Sequence, residues 1–286
     1  MPLHSPKAIC IKNSGFTLME LIIVIIIMGV MSLGIAGFIK LSTQTYLNVT
    51  ERDELLANAR FSVERLNREV RNALPSSMRE FSNTTTRCLE FVPIVASTVY
   101  TDIAVAPNLP TNSLTVVPFN LRHNEAYICD SLSVEGCEDI VIVYPLSKAE
   151  IYKNHSGNAG KAFYIKKYTQ STILNTLATI ELENNSLFAE YSPTSRAYIF
   201  NTPVSYCLNG DQLKRHVGYG FNAVQPLPPS SGSSSLMAQN VDFASSSFTV
   251  LEASLRRNAV VQIKLNFTRD GEEVVFDNAI HIKNIP

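Results

Sequence analysis

Residues 21–39, LIIVIIIMGVMSLGIAGFI, form nineteen consecutive positions without a charge. As a helix rising 1.5 Å per residue they cover roughly 28 Å, close to the hydrocarbon thickness of a bilayer. Lys40 closes the run, and Lys7 and Lys12 lie ahead of it. Positive charge on that side holds the N-terminus in the cytoplasm and sends the remainder outward. The other bulk properties are ordinary. The 286 residues are 45% hydrophobic, enough to bury a core, with 24 basic against 25 acidic side chains. That balance lacks the basic stripe of a nucleic-acid binder.

Two fates compete for such a run. A secretory signal peptide is removed after a small-x-small site, and Gly34-Ile35-Ala36 offers one. Against this, the run exceeds a usual signal core, and Glu20 sits just at its start. A carboxylate in apolar lipid is costly, up to a few kcal/mol at mid-bilayer, so it marks function.

The local string Gly15-Phe16-Thr17-Leu18-Met19-Glu20-Leu21-Ile22 resembles the processing site of type IV pilins and type II secretion pseudopilins. The resemblance implies a membrane peptidase that cuts after Gly15, on the cytoplasmic side, and N-methylates Phe16. The apolar segment is then retained, because the cut precedes it. It also implies that the Glu20 carboxylate pairs with the N-terminal amine of a neighbouring subunit during assembly. Some tip subunits lack that glutamate, so its presence argues against the outermost position. The implied partners are the prepilin peptidase/N-methyltransferase, other minor pilins, the major pilin, the inner-membrane assembly platform and membrane lipid. The implied location is the inner membrane, single-pass, with the C-terminal domain periplasmic and able to enter a surface pilus.

The helix continues past the apolar run. Leu55, Ala59, Val63, Leu66, Val70 and Ala73 recur at steps of three and four, one apolar face of a helix. Arg60–Glu64, Glu64–Arg68 and Arg65–Glu69 are spaced for i,i+4 ion pairs. Pro75 stops the helix after Leu74, and the polar residues at 40–50 permit a break. Beyond Pro75, segments 88–94, 114–119, 140–144, 163–168, 198–200 and 204–208 are rich in Val, Ile, Tyr and Phe and predict strands. At 260–267, Val261, Ile263, Leu265 and Phe267 alternate with Gln262, Lys264 and Asn266, a half-exposed strand. Asp270-Gly271 then turns the chain into a return strand at 274–282. The fold class expected is α+β, a long N-terminal helix packed on an antiparallel sheet domain. Its parts are a leader at 1–15, a membrane half at 16–39, an amphipathic half at 40–74 and a β-rich domain at 75–286. The stretch 225–235 (QPLPPSSGSSS) reads as a flexible surface loop within that domain.

Cys10 lies in the leader. Cys88, Cys129, Cys137 and Cys207 lie outside, where disulfides persist, and four cysteines allow three pairings. Cys129 and Cys137 enclose a short turn and are the expected first pair, which leaves Cys88–Cys207. No ligand spacing for a metal occurs, and none is expected. The acidic group Asp130, Glu135, Glu138 and Asp139 could hold calcium but lacks the EF-hand pattern, so it reads as a solvated loop. His4, His123, His155, His216 and His281 are scattered, and no nucleophile elbow or phosphate loop is present. Gly218-Tyr219-Gly220 reads as a turn. The expectation is a chain without catalysis or cofactor.

Among pilin-like classes, three strings are similar to O-type minor pilins of the mannose-sensitive haemagglutinin (MSHA) pilus: ERLNREVRNALPSS, CLEFVPI at 88–94 and HIKNIP at 281–286. A J-type pseudopilin of type II secretion and a pilus-borne adhesin are the alternatives. Loss of residues 1–15 removes Cys10, Lys7 and Lys12, leaving an exported chain with four cysteines.

Overall fold

A computed structural model describes residues 15–121, 124–132, 137–170, 176–252 and 258–282. In chain order the elements are α1 (Leu18–Arg71), β1 (Arg79–Ser82), β2 (Thr86–Phe91), β3 (Ile94–Asp102), β4 (Thr111–Val116), β5 (Ile140–Val143), α2 (Lys148–Ile151), β6 (Ala159–Gly160) and β7 (Ala162–Thr169). There follow β8 (Ala178–Phe188), β9 (Arg196–Phe200), β10 (Val204–Asn209), β11 (Gln212–Val217), β12 (Ser233–Ala238), β13 (Ser247–Leu251), β14 (Ala259–Arg269) and β15 (Glu272–Ile282). The fold is α+β. The chain divides into two compact units, Met1–Glu54 and Leu55–Pro286.

In the first unit α1 is helical throughout and its apolar side chains are exposed. The polar residues at 40–50 do not break it. Thr45 and Thr50 donate their hydroxyls to the carbonyls of Leu41 and Tyr46, and Ser32 does the same to Met28, so each hydroxyl is satisfied inside the helix.

In the second unit the buried positions of α1 are Leu55, Ala59, Ser62, Val63, Leu66 and Val70. They share one core with Leu89 and Phe91 of β2, Tyr206 and Leu208 of β10, and the inward residues of β14 and β15. Each fully buried aliphatic side chain there contributes roughly 1.5–3 kcal/mol. Arg65 closes its pair with Glu69 (3.1 Å), and Glu69 also binds Arg215 on β11 (2.9 Å). The helix ends at Arg71, before Pro75 is reached. Leu74 N–H donates to Val92 O and Ile94 N–H to Asn72 O, so the chain has already joined a β-bridge.

Two sheets face this helix. One has the order β1-β2-β10-β11-β12, the other β13-β14-β15. The expected hairpin is present, with Asp270 and Gly271 both at positive φ between β14 and β15. Its polar face differs from expectation at Asn266, which is buried because its amide donates to Ser245 and Glu273.

The third sheet was not anticipated. Its strands run β4-β3-β9-β5-β7-β8-β6; β4 also pairs with β8, closing six antiparallel strands into a barrel, and the two-residue β6 adds parallel to β8. The segment 88–94 is therefore two strands, not one. Pro93 lacks a ladder donor and separates β2, in the helix-facing sheet, from β3, in the barrel. The strand expected at Leu114–Phe119 is shifted: β4 begins at Thr111 and stops at Val116, with Pro118 beyond its end. β5 (IVIV) is buried on both faces. Val141 and Val143 point into the barrel, while Ile140 and Ile142 pack outside it against Ile151, Tyr152 and Phe200. The barrel is an insertion between β2 and β10, which pair directly.

The loop reading of 225–235 needs correction. Ser233–Ser235 pair with β11 as the start of β12, and Gln225 is buried with its amide donating to Cys88 O (3.0 Å). Runs of serine carry no hydrophobic period, so the pairing has no local signal.

His155 is buried, edge-on to Tyr164, Phe200 and Phe221. Nε2 lies 2.9 Å from Ile151 O, and Nδ1 has no partner among the described residues. Burial pushes its pKa below the ordinary imidazole value. A folded pKa below the unfolded one gives stability that is complete above the unfolded pKa and lost as pH falls through that range. Denaturant unfolding of the mature protein is expected to show lower stability at pH 5.5 than at pH 7.5. His155→Phe is expected to shrink that difference, and an unchanged difference would count against the assignment.

Candidate processing and assembly site

Gly15, Phe16 and Thr17 precede α1 and are exposed. Thr17 caps the helix: its carbonyl accepts from Glu20 N–H (3.1 Å) and Leu21 N–H (3.3 Å), and its hydroxyl accepts from Glu20 N–H (3.3 Å). The pattern Thr-x-x-Glu is a capping-box signature and puts Glu20 at the third helical position. A carboxylate there is favoured by the unsatisfied N–H groups and the positive end of the helix dipole. Among the described residues the Glu20 side chain has no ion-pair partner. The helix Leu18–Arg71 is long and apolar enough to cross a membrane, and its most apolar window is wholly unburied within the chain.

Among the described residues a methyl group added at Gly15 meets no atom within 4 Å, so none of them imposes a need for glycine there. Any such need comes from an enzyme that must approach the backbone.

Residues 10–36 match the prokaryotic N-terminal methylation motif. The match spans Gly15, Phe16 and Glu20, so the N-terminus carries a type IV pilin-like leader motif. No curated protein and no solved structure matches the chain.

The four cysteines among the described residues form two disulfides. Cys88 and Cys207 stand directly opposite each other on β2 and β10, with Cα atoms 4.1 Å apart. Cys129 and Cys137 are joined with Cα atoms 5.2 Å apart. Their sulfurs and Asp139 lie within 4.8 Å of one another, but disulfide sulfurs are not thiolate ligands. The acidic residues near them are engaged separately. Asp130 accepts from Leu132 N–H (3.1 Å) and pairs with Lys167 (3.4 Å). The Leu132 amide, with Lys167, holds its carboxyl below the usual range. Asp139 accepts from the Tyr127 hydroxyl (2.8 Å), and burial raises its pKa. Glu135, His123, Cys10 and the leader residues 1–14 lie outside the described residues.

Sequence reasoning missed a buried ion pair. Glu90 is wholly buried on the face of β2 opposite the helix, and its carboxylate receives Arg79 Nε (2.5 Å) and the Tyr219 hydroxyl (2.8 Å). Arg79 also donates to Asn222 O and Ala223 O, and its guanidinium stacks on Tyr152 at 3.6 Å. Gly218 and Gly220, both at positive φ, turn the chain so that Tyr219 reaches Glu90. The Gly-Tyr-Gly string was the available signal. Breaking a buried pair from one side costs roughly 3–5 kcal/mol, so this cluster holds the 219–225 segment in place.

Mass spectrometry of the mature protein is expected to show a chain beginning at N-methylated Phe16. Gly15→Val is expected to retain the leader while the globular unit keeps its melting temperature. A mature chain beginning near Gly37 would sink this reading.

Proposed function

We propose that the chain is a minor pilin. It waits in the inner membrane with its N-terminus cytoplasmic, loses residues 1–15, is methylated on Phe16, and joins other minor pilins to prime or support a surface filament. The observation that carries this reading is the methylation motif at 10–36 leading directly into one uninterrupted helix. The Glu20 carboxylate, with no ion-pair partner among the described residues of its own chain, pairs with the amine of a neighbouring Phe16. An uncompensated charge in an apolar bundle is costly, so this pairing sets the register of one subunit against the next. The strings ERLNREVRNALPSS, CLEFVPI and HIKNIP favour an MSHA-type pilus. The partners are the prepilin peptidase/N-methyltransferase, the major pilin and the inner-membrane assembly platform.

A second reading rests on one specific observation, the closed barrel inserted at 94–200. A self-contained module on a helix-anchored stem suits surface binding, as in an adhesin. Deletion of the gene, scored together for pili, adhesion and enzyme export, separates the readings. Loss of filaments supports the minor pilin, and loss of adhesion with filaments intact supports the adhesin. Failed export with normal pili supports a secretion pseudopilin. Glu20→Ala is expected to stay in the membrane and assemble poorly, and normal piliation by that variant would refute the pairing role.

A further inference from the structure

Arg60, Glu64 and Arg68 of α1 are exposed and stand four residues apart. They form one stripe of alternating sign on the side of the helix turned away from the core. The spacing suits ion pairs within the helix, yet none of the three has an ion-pair partner among the described residues. Arg65 and Glu69, at the same spacing nearer the sheet, do pair. Phe61 lies on the flank of the stripe with 60% of its surface exposed. Glu64, Asn67, Arg68, Arg71 and Asn72 line a cleft of about 480 Å³ on the same stretch.

An alternating ladder complements a copy of itself displaced by one step. With two such helices parallel and level, Arg60 meets Arg60 and Glu64 meets Glu64. Displaced by four residues, about 6 Å of helix rise, Arg60 of one meets Glu64 of the other, and Glu64 meets Arg68. At eight residues Arg60 meets Arg68, and repulsion returns. Like charges reject the wrong registers and opposite charges hold the right one, as at the charged flanks of a coiled coil. The pairing of Glu20 with a neighbour's Phe16 amine demands the same step, because residues 16 and 20 are four apart at the start of the same helix.

We propose that Arg60, Glu64 and Arg68 are a second register lock, docking against the same stripe of a second copy of this chain displaced by four residues. This rests on the pilin reading and names the neighbour that takes up the Glu20 step. Both helices stay parallel, as anchoring in one membrane requires. The contact is heterologous: one copy gives Arg60 and Glu64, the next gives Glu64 and Arg68, and no two-fold axis relates them. Set around a common axis, each copy turns its stripe inward, where Phe61 gains cover. Exposed ion pairs are individually weak, so the ladder selects register more than it adds affinity.

Pairs of tagged full-length copies, co-expressed and oxidised in cells, test this. One copy carries Arg60→Cys, and the other carries Arg60→Cys, Glu64→Cys or Asp53→Cys. Dimers are read on the mature chain, from which Cys10 is gone. The 60–64 dimer is expected to outnumber both 60–60 and 60–53. Glu64→Arg is expected to lose most of its recovery in sheared filaments. Arg60→Glu/Glu64→Arg/Arg68→Glu, which reverses the whole ladder, is expected to regain it. Thermal unfolding of both variants should match the parent, because the three positions are exposed. A parent chain missing from the filaments overturns the pilin reading and this contact together. With the parent present, the contact alone is overturned by a dominant 60–60 dimer, or by a dominant 60–53 dimer, which marks a displacement of seven. Cross-links only to a chain of different mass, or a triple variant no better than Glu64→Arg, also overturn it.

Discussion

The pairing of β2 with β10 is the constraint on which the second unit depends. Its two faces serve two different purposes. Leu89, Phe91, Tyr206 and Leu208 meet the apolar stripe of α1, while Cys88, Glu90, Ser205 and Cys207 point the other way. The ends of the same two strands lead into and out of the barrel. A disulfide between directly opposed residues fixes this pairing, closing a loop with a sequence separation of 119. In the chain-entropy account a loop of that length is worth about 5 kcal/mol. The second face needs polar partners more than apolar ones, and Arg79, Tyr219 and Gln225 supply them.

Much of the first helix was legible because its information is local. The period of Leu55, Ala59, Val63, Leu66 and Val70 marks a face, and those are the residues the sheets bury. The final hairpin was legible for the same reason, since Asp270-Gly271 fixes its register. The barrel was not. β3 pairs with β9, about a hundred residues on, and closure depends on β4 meeting β8. β8 alternates Ile180 and Leu182 with Thr179 and Glu181 but then runs through Glu183, Asn184 and Asn185, which dilutes the period. β1 and the serine run that opens β12 are polar stretches of edge strands with almost no apolar signal. In the processing site, Gly15, Phe16 and Glu20 were legible as a motif, whereas the capping by Thr17 emerged only from geometry. The buried pair Arg79–Glu90 went unread because charged residues are normally assigned to the surface.

The two units answer to different solvents. Up to residue 54 the apolar side chains are unburied, and the hydroxyls of Ser32, Thr45 and Thr50 are bonded inside the helix. Such a surface is stable only against lipid or other helices. From Leu55 onward the same helix obeys the ordinary rule for a water-soluble protein, with one face buried and the other charged. The change falls within an unbroken helix, so composition alone marks it.

The position of Cys88–Cys207 also decides how the chain carries tension. Pulled from its two ends, the polypeptide is covalently continuous from residue 88 to residue 207 through the sulfur bridge. The intervening barrel lies outside that load path. It can be stretched only by a force applied to its own surface, and that force reaches the stem through two adjacent strands. The stem is thereby a continuous tether, and the barrel a side attachment that tension along the tether does not unfold.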